Sequence, residues 1–69
     1  MTKYVHIVQV HPVENGEPNL NKVELKRKFD SKEDAQRWAK IYNYQEEEFG
    51  DTERAVYYGC VNDETGELV

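Results

Sequence analysis

Two histidines, one cysteine and one serine are the side chains of this chain that most often carry catalysis or bind metals. His6 and His11 are five residues apart in an apolar run typical of a strand, so they should point to opposite faces. Cys60 has no second cysteine with which to form a disulfide or a zinc site. Ser31 precedes a helical pattern, where its hydroxyl is expected to act as a cap. We therefore predict that the protein is not an enzyme and binds no metal or cofactor.

Acidic side chains form the densest charged group of the chain, just after the helical pattern. They are Glu46, Glu47, Glu48, Asp51 and Glu53. Their spacing does not match a calcium-binding loop. An anionic cluster of this kind suits a protein that occupies a basic groove on a partner, as an inhibitor or nucleic-acid mimic does. An acidic inhibitor is therefore the alternative function that the sequence indicates.

Charge is segregated along the sequence. Residues 22–40 contain seven of the nine Lys and Arg residues and have a net charge of +3, whereas residues 41–69 have a net charge of −7. Nucleic-acid binding through Lys26, Lys28 and tyrosines is a third hypothesis. The overall charge of −5 and the pI of about 4.9 argue against it, because acidic segments repel a phosphate backbone.

The length of 69 residues predicts one small domain, residues 1–69, built from one sheet and one helix, without room for a deep catalytic cleft. With 38% hydrophobic and 12% aromatic residues, the chain is expected to fold. No run approaches the roughly 18 apolar residues of a membrane span, and the N-terminus lacks a signal-peptide pattern. We therefore expect a cytoplasmic protein that does not bind membranes.

Residues 29–42 hold the only helix-length pattern and the only tryptophan. A spacing of 100° per residue places five apolar side chains on one helical face. They are Ala35, Trp38, Ala39, Tyr42 and Phe49. Tyr44 should point away, and Gly50 favours a left-handed cap. Because acids near the end oppose the helix dipole, we expect fraying between Tyr44 and Phe49. Trp38 should contribute most to the core, with a loss of roughly 3–5 kcal/mol on truncation to alanine.

Three segments rich in β-branched and aromatic residues predict strands at residues 3–11, 22–30 and 54–62. The first is apolar on both faces, as expected of a central strand. Asn15-Gly16 predicts the reversal that follows it. Apolar and charged residues alternate along the second strand. Its predicted core face, packed against Trp38, carries Val23, Leu25 and Phe29.

Connection lengths predict the topology. The first two strands should form an antiparallel hairpin, and the helix should return the chain by a right-handed crossover that places the third strand beside the first. The predicted fold is therefore α+β, a single-layer antiparallel or mixed β-β-α-β sheet of order 2-1-3 with one helix on one face. Residues 67–69 add at most a short fourth strand outside the third, giving the order 2-1-3-4.

One face of this sheet should remain open, since a single helix covers only the other. We predict that Lys26, Lys28 and Tyr57 lie on the open face and contact a partner. The face should also leave a few hundred Å² of apolar area exposed, more than a monomer usually shows to water. These expectations favour a non-enzymatic protein-binding or regulatory module with an unidentified protein partner. They also favour a homodimer formed through the open face or an edge strand.

Overall fold

The computed structural model describes residues 3–69. Its elements are β1 (Tyr4–Glu14), β2 (Glu17–Pro18), β3 (Leu25–Phe29), α1 (Lys32–Phe49) and β4 (Glu53–Asn62). The helix packs on one face of a four-stranded antiparallel sheet. The predicted α+β class with one covering helix is confirmed.

The long strand β1 is the centre of the sheet. Residues 6–10 of β1 pair with β3 and residues 4–12 pair with β4, antiparallel in both cases. The two partners therefore lie on opposite edges of β1 and run in the same direction. This confirms the predicted order, in which the second and third predicted strands flank the first. A single antiparallel bridge between Val61 and Leu68 stands where the short fourth strand was expected.

The chain reverses after β1 at the predicted turn. Asn15 and Gly16 have φ angles of 56° and 82°, the left-handed values that a two-residue hairpin requires. The turn pairs Glu14 with Glu17. Pro18 lacks a backbone N–H, and β2 ends there after two residues. Residues 19–24 then form a loop that leads to β3.

Both helix ends are capped by the predicted residues. Ser31 Oγ accepts a hydrogen bond from the backbone N–H of Asp34 at 3.1 Å. At the other end the N–H groups of Gly50 and Asp51 both donate to the carbonyl of Glu46. The predicted fraying is wrong, because the helix is continuous to Phe49. Both bonds end on the Glu46 carbonyl and close the helix at Gly50, in spite of the acidic residues in the last turn.

The main core lies between α1 and the sheet surface beneath it, called here the helix face. Its buried residues are Val8, Val10, Ala35, Ala39 and Ala55. Because the helix contributes only alanines to this layer, it can approach β1 and β4 closely.

Partly buried aromatic rings surround the main core. They are Phe29, Trp38, Tyr42 and Tyr57. Trp38 lies 5.8 Å from Phe29 and stacks on Tyr42 at 5.1 Å, measured between ring centroids. This confirms that Trp38 packs on the second predicted strand. The guanidinium of Arg27 lies 5.8 Å from the Trp38 ring, so Arg27 also projects to the helix face.

Three predicted core residues lie outside the core. Val23 and Leu25 are 41% and 38% exposed. Val23 lies in the loop before β3, and the buried helical alanines pack on β1 and β4 and not on the edge strand β3. Phe49 is 83% exposed. Asn43 of α1 is level with Ala55, to which it is hydrogen-bonded, and β4 begins only two residues earlier. The last helical turn therefore extends past the start of β4, and Phe49 does not pack against the main core.

A β-bulge in β4 changes which side chains face the helix. Ile7 pairs with Gly59 and Val8 with Tyr57, so Tyr58 is an extra residue on β4. As a result Ala55 and Tyr57 lie on the helix face, whereas Val61 lies on the opposite surface with Ile7. Strict alternation would have kept Tyr57 and Val61 on one face.

Candidate binding surface on the open face

The surface opposite the helix, called here the open face, has a small buried cluster of its own. Val5, Ile7 and Val61 are all buried. The turn that follows β4 lies against this surface, since Asp63 Oδ1 reaches Lys28 Nζ at 2.9 Å and the turn borders the same hollow as Ile7 and Val61. This turn therefore covers part of the apolar surface that was expected to be open.

The opposite end of the open face is covered by the loop at residues 19–24. His11 is only 2% exposed, and its Nδ1 lies 2.7 Å from the carbonyl oxygen of Lys22. Because a carbonyl only accepts, this ring nitrogen donates. Leu20 in the same loop remains 64% exposed and borders His11. The loop thus shields the histidine and places an apolar side chain at the surface.

Two adjoining hollows lie between these covered ends. Both are bordered by Gln9 of β1 and Tyr58 of β4, and each has a volume of about 230 Å³. One is flanked by Lys26 and Lys28, and the other by Leu20. Each hollow has room for about one side chain of a partner. A partner in extended conformation would place alternate side chains on one face, the arrangement that two such hollows can accept.

The predicted contact residues are only partly together. Lys26 and Lys28 lie on the open face, as predicted. The predicted placement of the Tyr57 ring on that face is wrong: its hydroxyl is hydrogen-bonded to His6 Nδ1 at 2.9 Å, and Lys32 Nζ lies 5.6 Å from the ring. Tyr57 only borders the hollow beside Leu20. Tyr58 takes its place and is 49% exposed. The bulge is the reason, and Gly59 was its signal, because an isolated glycine in a strand often marks a bulge.

The side chains considered for catalysis lie apart. His6 projects to the helix face beside Tyr57, and His11 projects to the open face, as the strand period predicted. Ser31 accepts from the helix N-terminus. Cys60 is a partly exposed free thiol. Among residues 3–69 no three His, Cys, Asp or Glu side chains are arranged to hold a metal ion.

The predicted acidic cluster is split in the structure. Asp51 forms an ion pair with Arg54: Arg54 Nη2 lies 3.1 Å from Asp51 Oδ1. Glu53 lies beside Glu24, and this carboxyl neighbour together with burial raises the pKa of Glu53. Burial and the nearby Glu53 and Glu46 carboxylates raise the pKa of Tyr42 to about 12.

The exposed part of the acidic group is the end of α1. Glu47 and Glu48 are exposed and stand next to the exposed Phe49. The last helical turn contains no basic residue. This end of the helix therefore presents negative charge beside an aromatic ring.

The outer edge of β4 is hydrogen-bonded to other parts of the chain. The Asn43 side chain donates to the Ala55 carbonyl at 2.9 Å and accepts from the Ala55 N–H at 2.7 Å. Farther along, Val69 N–H donates to the Cys60 carbonyl and Asn62 N–H to the Glu67 carbonyl. Asn43 was not among the predicted site residues; its position as a polar residue between the aromatic helix residues Tyr42 and Tyr44 is a sequence signal for a hydrogen-bonded partner.

No known protein family matches this chain, and no curated protein or solved structure is significantly similar to it. The one helix among residues 3–69 is too polar to cross a membrane. Function is therefore inferred from the surface chemistry alone.

Proposed function

We propose that this protein is a small non-enzymatic protein-binding module whose contact surface is the open face of its sheet. The observation that carries the proposal is the pair of adjoining hollows that share Gln9 and Tyr58. The hollows lie between the two covered ends of the sheet. Ile7 borders one of them but is itself buried, so a partner side chain can occupy that hollow without displacing it.

The side chains around the hollows suit protein recognition. Tyr58 offers a large ring with a polar end, a combination enriched at interfaces. Lys26 adds a positive charge that has no acidic partner within 4 Å among the described residues. Gln9 between them offers a donor and an acceptor. The surface combines apolar, amide and cationic groups, as a protein interface does.

Site-specific photo-crosslinking in cells tests this proposal. The variant Tyr58→benzoylphenylalanine should give discrete covalent adducts after irradiation. The matched control is Tyr44→benzoylphenylalanine, since Tyr44 is a comparably exposed tyrosine on the far side of α1. An adduct of twice the mass of the chain identifies a second copy, and any other discrete mass identifies a different protein. Equal adducts from both positions, or none from position 58, would contradict the proposal.

The acidic helix end supports a second candidate function, the occupation of a basic groove on a partner. Glu47 and Glu48 are free of ion pairs within 4 Å among the described residues, and Phe49 beside them is 83% exposed. A negative surface with an aromatic anchor is complementary to a basic, partly apolar groove.

The same crosslinking format separates the two candidates. Phe49→benzoylphenylalanine should give the dominant adducts if the acidic helix end is the interface, and the adducts should disappear in Glu47→Gln/Glu48→Gln. Adducts from position 58 alone would exclude this second function. Adducts that are lost after nuclease treatment would instead point to nucleic-acid binding.

A further inference from the structure

The outer edges of the sheet differ in how fully their backbone groups are satisfied. β4 is hydrogen-bonded outward at Ala55, Cys60 and Asn62, and its bulge interrupts the space between. β3, by contrast, pairs only with β1 among residues 3–69. On every second residue of β3 the N–H and C=O therefore point outward, where they are available to another strand.

We propose that the outer edge of β3 is a strand-addition site for an acidic, extended segment of a partner protein. The inference rests on the proposed function, since Lys26 and Lys28 border both the open face and this edge. Main-chain hydrogen bonds along Leu25–Phe29 would hold the segment. Side chains of the segment that point to the open face would reach the hollow beside Tyr58.

Charge determines which strand the edge accepts. Its three middle residues, Lys26, Arg27 and Lys28, are all basic and exposed. A second copy of β3 would bring like charges face to face, which destabilises a strand pair. A strand that carries glutamate or aspartate on its open-face positions would instead face Lys26, which has no acidic partner within 4 Å among the described residues, and Lys28, which also contacts Asp63. The same lysines therefore oppose self-pairing and favour an acidic partner.

The other side of the added strand meets a different environment. Arg27 lies over the Trp38 ring, and Phe29 packs on the same ring. Exposed faces of these groups line the helix-face side of the β3 edge, where an apolar side chain fits best. The recognised pattern is thus an alternation of acidic and apolar residues.

The probe is a seven-residue peptide of alternating valine and glutamate with blocked ends, added to the full-length protein labelled with ¹⁵N. We expect amide shifts confined to Leu25–Phe29 and the hollow beside Tyr58, and slower hydrogen exchange of outward-pointing β3 amides. Two N-methylated peptides, one modified at the valines and one at the glutamates, test the main-chain bonds. One of them should bind at least about tenfold more weakly, because its methyl groups face β3. Equal binding of all three peptides would overturn strand addition.

Charge variants complete the test. Lys26→Glu/Lys28→Glu should weaken peptide binding about tenfold or more. The matched control Lys32→Glu/Lys40→Glu makes the same charge change on α1 and should leave binding within about twofold. Cooperative urea unfolding of each variant verifies that it folds, with a lower midpoint expected for the Lys28 variant because it loses the ion pair with Asp63. If crosslinking from position 58 succeeds while no peptide binds, strand addition fails and the protein-binding function of the open face stands. If the peptide binds while position 58 gives no adduct, strand addition at β3 stands and the open face is not the contact surface.

Discussion

Lys28 Nζ lies 2.9 Å from Asp63 Oδ1. This ion pair joins the edge strand β3 to the turn after β4, and β3 and β4 lie on opposite sides of β1. Ile7 is the β1 partner of Lys28 and is buried between these two edges. The ion pair and its hydrogen bond to Lys28 hold the pKa of Asp63 below its usual value. The pair therefore fastens the chain end across the open face.

The Lys28–Asp63 pair gives the first prediction. An acid with a lowered folded-state pKa contributes stability that is present above its unfolded value of 3.8 and is lost as the pH falls through the folded value. A double-mutant cycle of Lys28→Met and Asp63→Asn, measured by urea denaturation, should therefore show favourable coupling at pH 7 that weakens as the pH falls below 3.8. Coupling that does not weaken at low pH would mean that the pair does not act through charge.

Gly59 gives the second prediction. Its φ is 153°, and an added Cβ would lie 2.9 Å from Leu68 Cδ2. Gly59→Ala should thus destabilise the protein by about 1–3 kcal/mol in chemical denaturation, from backbone strain and overlap together. Adding Leu68→Ala removes the overlap but not the strain, so it should restore only part of the loss. Full restoration would show that the bulge tolerates a side chain.

Trp38 gives the third prediction. It packs between Phe29 and Tyr42 but keeps part of its ring exposed. Trp38→Ala should cost about 3 kcal/mol of unfolding free energy, near the lower end for a large aromatic residue. Tyr44→Ala is the matched control and should change the denaturation midpoint little, since that ring points to solvent. Similar midpoints for both variants would contradict the central role of Trp38.

More of the fold than of the candidate binding surface could be predicted from the sequence. The central position of β1 follows from its two apolar faces, and the Ser31 and Gly50 caps follow from local chemistry. The placement of Tyr57 failed because one extra residue at Tyr58 reverses the alternation of a strand. The turn near Asp63 covers part of the open face through contacts with residues far away in the sequence, and no local sequence pattern specifies such contacts.

Glu53 gives the fourth prediction. Its pKa is raised chiefly by the neighbouring Glu24, so the folded state holds this proton more tightly than the unfolded state does. Stability from Glu53 is therefore present below pH 4.5 and is lost as the pH rises through the folded value. Glu53→Gln should raise the denaturation midpoint at pH 7 and change it little at pH 4. The control Glu48→Gln should have a smaller effect at pH 7.

The last prediction concerns self-association through the open face and its dependence on salt concentration. Tyr58 and Leu20 supply exposed apolar area there, whereas β3 edges repel each other. Apolar burial is unaffected or strengthened by salt, while charge attraction is screened over ~3 Å at 1 M. A dimer seen in sedimentation velocity should therefore persist at ~1 M NaCl, dissociate in Tyr58→Ser and survive Glu46→Gln/Glu47→Gln/Glu48→Gln. A dimer that dissolves in salt, or in the triple glutamine variant, would place the interface on the acidic helix end instead.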